Sequence, residues 1–141
     1  MAALDGYLGM QRALDGGRLT AAERKLVGVM VAQRCASAYW LSVQVAQAEA
    51  SGMASAEIAD AREGYAASER RRGLLFLASK LVVNHGELSD ADLAAARQTG
   101  LAEADILETV AHVALNMTAA FVAHSAKLPL DHPPAPPLQG F

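Results

Sequence analysis

Leu19-Thr20-Ala21-Ala22-Glu23-Arg24-Lys25-Leu26-Val27 is the stretch on which the fold reading turns. Thr20 stands three residues before Glu23, the capping-box spacing. A threonine hydroxyl there accepts from the Glu23 amide while the Glu23 carboxylate accepts from the Thr20 amide. This pair opens a helix expected to run to about Arg34. Outward from it, a second helix starts near Ala36 and stops at Gly52, a natural left-handed C-cap. Ser55 opens a short helix to about Glu63, Ser68 opens one ending at Gly86, and Ser89-Asp90-Ala91-Asp92 opens one ending at Gly100. The longest runs from about Glu103 to Lys127, and a weaker helical stretch precedes all of them around Leu4 to Leu14. The five prolines all lie at or after Pro129, so none interrupts these helices. Alanine is the commonest residue and isoleucine occurs only at Ile58 and Ile106, a balance that favours helix over sheet. The expectation is an all-α bundle of six or seven helices forming one domain over residues 1–128. A Pro-rich tail over 129–141 is expected to be extended and loosely held.

Composition narrows the function classes. The chain has 141 residues, a net charge of -3 and 52% hydrophobic residues. Its mean hydropathy is +0.17 and its isoelectric point about 5.7. There is no basic excess to neutralise phosphates, so no nucleic-acid partner is expected. The apolar balance is high for a small domain and points to surface buried between subunits as well as a core. Cys35 is the single cysteine, which excludes an internal disulfide and any cysteine-based metal cluster and suits a reducing compartment. The start, Met1-Ala2-Ala3-Leu4-Asp5, lacks the basic region and apolar stretch of a signal peptide. The longest apolar runs, Leu26 to Ala32 and Leu74 to Ala78, fall short of the ~20 residues that span a bilayer. A cytoplasmic protein without a membrane partner is expected.

The last helix carries further information. Ile106, Val110, Val113, Met117 and Phe121 fall on one stripe at helical spacing, and Leu115 and Val122 form a second strip on roughly the opposite side. A helix apolar on two sides is usually buried on two sides. In so short a chain the second side is expected to face another subunit.

With these elements in place, the chain resembles the alkyl hydroperoxidase D-like proteins of the carboxymuconolactone decarboxylase superfamily. The resemblance rests on the Leu19 to Val27 stretch, the small-residue segment Ala38-Tyr39-Trp40-Leu41-Ser42-Val43-Gln44, and Ala48-Glu49-Ala50-Ser51-Gly52-Met53. It continues through Asn84-His85-Gly86-Glu87-Leu88-Ser89-Asp90 and Asn116-Met117-Thr118 to Asp131-His132-Pro133. It implies an all-α fold and assembly as dimers, trimers or hexamers. It also implies chemistry at a Cys-x-x-Cys-x-x-x-His segment opening a helix, with a glutamate on the preceding helix. Two thiols one turn apart form and break a disulfide there, and the helix start and a nearby base favour the thiolate.

That constellation is absent. The first cysteine position falls on Ser37, the second on Trp40, the histidine on Gln44 and the glutamate on Lys25. Ser37, Trp40 and Gln44 share one helix face, so the geometry persists without the chemistry. Serine forms no disulfide, and glutamine is no base near neutral pH. Cys35 lies two residues before the first cysteine position and reads as a small buried thiol, with a one-cysteine peroxidase as the alternative.

The other chemical candidates are few. Lys25, on an apolar helix, either snorkels to water or, if buried, serves as a base or anion ligand. His124 sits in the apolar stripe of the last helix, as a packed histidine or a pocket residue. His112, on the other side, reads as solvated or interfacial, His85 as a helix-closing residue and His132 as exposed in the tail. No two histidines have metal-ligand spacing, so neither a metal nor another cofactor is expected. Glu69-Arg70-Arg71-Arg72 reads as a solvated charge run. Tyr39 and Trp40 either pack in the core or line a cavity at the former thiol site.

Three functions remain open. The first is a family-like homo-oligomer that binds a small organic ligand, or serves structurally, without peroxidase activity. The second is a lactone- or decarboxylase-type enzyme without thiols, using Lys25, Ser37, Trp40, Gln44 and His124. The third is residual peroxidase chemistry at Cys35.

Overall fold

The computed structural model describes residues 1–138, and the last three residues of the tail lie outside them. Seven helices follow one another: α1 (Ala2–Asp15), α2 (Ala21–Arg34), α3 (Ala38–Ala50), α4 (Ser55–Glu63), α5 (Glu69–Val83), α6 (Asp90–Gln98) and α7 (Glu103–Ser125). No strand occurs among the described residues. The caps explain the boundaries. The Thr20 hydroxyl accepts from the Glu23 amide and the Glu23 carboxylate from the Thr20 amide, the expected box. Ser89 and Asp92 form a second such box at α6, and Ser68 caps α5 by accepting from the Arg71 amide alone. Gly52, Gly64, Gly86 and Gly100 all have φ near +90°, where a side chain would be strained, and each ends a helix. The second helix starts later than expected, at Ala38. Ser37 is its N-cap and accepts from the Trp40 amide, and Ala36 is held at φ 52°.

α2 is the axis of the bundle, packed against α3, α4, α5 and α7. Leu26, Val27, Met30 and Val31 of α2 meet Leu74, Leu75, Leu77 and Ala78 of α5 in the main core. Val29 and Ala32, on another side of α2, join Leu41, Val45 and Ala48 of α3 and Ile58 of α4 in a second cluster. Seven consecutive residues of α2, from Leu26 to Ala32, are therefore buried all round.

Three expectations are corrected. In α7 the expected apolar stripe is not the buried face. Ile106 and Val113 are buried, but Val110 and Phe121 are exposed, as is Val122 of the opposite strip. The buried face runs instead through Asp105, Thr109, His112 and Asn116 to the small residues Ala120 and Ala123, which let the neighbouring helices approach. The continuous-run test also missed that α7 has the length and composition of a membrane span, with mean hydropathy 1.5 over an 18-residue window. His112 and Asn116 had broken that run. Here α7 packs on α1, α2, α3 and α5.

The tail is extended, as expected, but it is held. Tyr39 donates its hydroxyl to Asp131 at 3.3 Å, Ala135 packs on the second core cluster, and Arg62 donates to the Pro136 carbonyl. Arg62 is itself buried and bonded to Gln33, so the tail supplies a partner to a guanidinium that water does not reach well.

The Glu69 to Arg72 run is a solvated face only in part: Glu69 and Arg72 stand exposed, whereas Arg70 and Arg71 are half-buried. Arg70 binds Glu23 at 2.8 Å and Asp105 at 3.1 Å, Arg71 binds Glu57, and Arg72 donates to two carbonyls before α5. Asp105 also accepts from Arg18 and from the Ala102 amide at the start of α7. Its carboxyl lies far below the usual carboxylate range, chiefly through the bonds from Arg70 and Arg18. Burial pulls Glu23 up, yet Arg70 and the Thr20 amide outweigh it and hold it low. Nearby, Glu108 clamps the loop into α2 by accepting from the Arg18 and Leu19 amides. Gly17 makes room for this clamp, since a Cβ there would lie 2.1 Å from the carboxylate.

Candidate ligand-binding site

Four helices each contribute one stripe to a cavity of about 410 Å³. Tyr7, Gln11 and Asp15 come from α1 at i, i+4 and i+8. Ala21, Arg24 and Lys25 come from α2, Trp40, Gln44 and Gln47 from α3, and His112, Leu115 and Asn116 from α7. The volume falls in the range of small-molecule sites. The stripes on α3 and α7 converge over Gly28 of α2. A Cβ at Gly28 would displace the Gln44 amide and lie a tight 3.1 Å from Asn116 Oδ1, so glycine gives both amides room there. Trp40 donates its indole N–H to Asn116 Oδ1 at 3.0 Å, and Asn116 donates to the His112 carbonyl at 2.8 Å. This chain of bonds fixes one wall of the cavity.

The polar groups facing the cavity fall into two sets. Arg24 is engaged, donating to the Leu19 carbonyl at 2.7 Å and lying 3.5 Å from Asp15. Lys25 and Gln44 make no side-chain hydrogen bond or ion pair with other described residues, although Gln44 is only 6% exposed. His112 is 3% exposed, and its Nε2 is buried without a partner. Burial pushes the His112 imidazole below its ordinary pKa and Arg24 adds to this, while Glu108 and Asp15 pull the other way. The ring is therefore neutral at physiological pH. It offers one N–H and one lone pair.

Of the positions singled out in the sequence, the structure brings Lys25, Trp40 and Gln44 onto this one cavity. The others lie elsewhere. Ser37 is buried as the N-cap of α3, its hydroxyl occupied by the Trp40 amide. Tyr39 points to the tail. His124 is exposed in the last turn of α7, 3.4 Å from the Ala36 carbonyl, because the stripe that carried it is the outer one. Cys35 closes α2, packs on the main core, and has its thiol pushed up by burial, which disfavours the thiolate. It is absent from the cavity wall.

Sequence reasoning missed His112, Asn116, Arg24 and the α1 wall. The signal available was the i, i+4 pair His112 and Asn116 followed on the same face by Ala120 and Ala123. Among the described residues no group of acidic, histidine or cysteine side chains could hold a metal ion.

No family model matches the chain, and no curated relative matches it either. Solved structures do. One is the crystal structure of a protein of unknown function from Agrobacterium tumefaciens, described as a candidate antioxidant defence protein AhpD. It superposes with a TM-score of 0.81 at 13% identity, over 91% of this chain and 90% of that one. The chain therefore has the alkyl hydroperoxidase D-like all-α fold.

Proposed function

We propose that the chain is a small-molecule-binding protein of this fold, without dithiol chemistry, that takes a small organic anion in the cavity between α1, α2, α3 and α7. One observation carries the reading: Arg24 and Lys25 of α2 line one cavity beside the amides of Gln44 and Gln47, and Lys25 makes no ion pair with another described residue. Arg24 and Lys25 against Asp15 leave the wall with a positive excess, which favours an anion. The positions that would carry redox thiols hold Ser37 and Trp40, and Ser37 is consumed in capping.

Trp40 is the single tryptophan, so its indole N–H gives one resonance in a proton–nitrogen correlation spectrum. Titration with butyrate should shift that resonance saturably and butyramide should not. Lys25→Met should weaken the response about tenfold, the scale of one charge-assisted bond. The same protein should show no peroxide turnover with a thiol reductant. Equal responses to the acid and the amide, or thiol-dependent turnover lost in Cys35→Ala, would overturn the reading.

The chain further fits a cytoplasmic homo-oligomer. Leu107, Val110, Phe121 and Val122 stand exposed along the outer side of α7. α1 has no buried residue in the single chain and leaves Leu4 and Met10 open. A short helix is rarely stable without a packed face, so a second copy laid over α1 and α7 would complete both. A native mass spectrum should give a multimer, and a single-chain mass at micromolar concentration would remove the proposal.

A further inference from the structure

Three buried polar side chains line the cavity, Gln44, His112 and Asn116, and they differ in what they leave open to it. Asn116 is closed, since its oxygen accepts from Trp40 and its NH2 donates to the His112 carbonyl. The unpartnered Nε2 of His112 is sealed from the open space. Gln44 is 6% exposed, and its amide bonds to no other described residue yet is not sealed. We infer that the anion bound in this cavity is a small amido acid, its carboxylate placed by Lys25 and its carboxamide paired with the Gln44 amide. This rests on the anion-binding reading above and adds the second group.

The charges of the wall set the number of carboxylates. Arg24 faces Asp15, which leaves Lys25 as the cation without an ion-pair partner. Lys25 has three donors and no acceptor, so it suits the charged end. One carboxylate balances it, and a second would meet no free cation. The neutral end of the ligand then falls to Gln44 on α3. A primary amide carries an N–H donor and a carbonyl acceptor in one plane. A ketone engages only the donor, and a single hydroxyl cannot lie in line with both. A carboxamide engages both at once, donating to Oε1 and accepting from Nε2. A second carboxylate would set its oxygens against Oε1, and a plain alkyl group would engage neither atom. The apolar part of the wall, Ala21, Leu115 and the Trp40 ring, accommodates a short carbon chain between the two ends.

The test uses the same Trp40 resonance with succinamate, glutaramate and adipamate, which place the carboxamide at three distances from the carboxylate. Each is compared with the ketone that carries methyl in place of the NH2 and with the branched hydrocarbon acid of the same shape. For succinamate these are 4-oxopentanoate and 4-methylpentanoate. At one chain length the ketone should bind about threefold more tightly than the hydrocarbon, and the amide about threefold more tightly again, the scale of one net hydrogen bond at each step. Gln44→Met, which keeps the length of the side chain and loses its amide, should level the three affinities. A Trp40 resonance displaced from the free-indole position shows that the variant is folded. If acids bind through Lys25 but the amide gains nothing over the ketone and hydrocarbon at any length, or the ladder survives in Gln44→Met, the amido-acid inference is wrong and the anion reading stands. If no acid moves the resonance, both fall.

Discussion

The ion cluster and the cavity share two helices, α2 and α7, yet they solve opposite problems. Glu23 and Lys25 lie two residues apart on α2 and so face apart. Asp105 and His112 lie two turns apart on one face of α7. At the first site, Asp105 accepts from Arg18, Arg70 and the Ala102 amide, and Glu23 from Arg70 and the Thr20 amide. At the second, Lys25, Gln44 and His112 have no partner in the protein. A polar cluster that closes on itself ties helix ends together and leaves nothing for a ligand. One left open keeps its hydrogen-bonding capacity for something that enters from outside.

Substitution at the two sites should separate these roles. Asp105→Ala should lower stability by about 3 kcal/mol, the low end for breaking a buried ion pair. Arg70 would keep Glu23, but it would lose one of its two carboxylates and α7 would lose its N-terminal acceptor. Lys25→Met should stay within about 0.5 kcal/mol of the parent, as for a side chain that touches no other polar group. Urea unfolding midpoints with unchanged slopes would read both. A harmless Asp105→Ala, or a Lys25→Met as damaging as it, would mean that the closed and open clusters do not differ in kind.

The same contrast explains what could be read in the sequence. The fold was legible because its boundaries are local chemistry: Thr20 with Glu23, Ser68, Ser89 and the glycines after each helix act on their own neighbours. Half of the cavity was legible because Trp40 and Gln44 are one turn apart and Lys25 occupies an aligned position. The other half was not. The stripe argument assumes that the buried face of a helix is its most apolar one. In α7 the buried face carries Asp105, His112 and Asn116, while Phe121 and Val122 face outward. For the same reason the arginine run looked solvated, since its partners, Glu23 and Asp105, lie on other helices. Polar burial is settled by tertiary partners, and a single strand of text does not display them.

The smallest effect should be the most telling, because it places the two sites on one pH axis. A buried neutral histidine must take up a proton when the chain unfolds in mild acid. The unfolded side chain titrates near ~6.5, and His112 in the fold titrates lower. Between those values the unfolded chain binds more protons, so stability falls as the pH drops from about 6.5. The carboxylates of the ion cluster act by the same linkage but later. Their folded values lie below the unfolded value of ~4, so their contribution is complete above that pH and lost beneath it. The charges around His112 are Glu108 on its own helix, Arg24 and Lys25 on α2 and Asp15 on α1. Wild type should therefore lose melting temperature in two stages, a shallow one starting near pH 6.5 and a steep one under about pH 4. His112→Phe should remove the shallow stage and leave the steep one. The other three histidines stand exposed in both proteins, so the difference between the two curves isolates the cavity. Parallel curves would show that the imidazole is not held neutral there, and the open site would lose the feature that distinguishes it from the closed one.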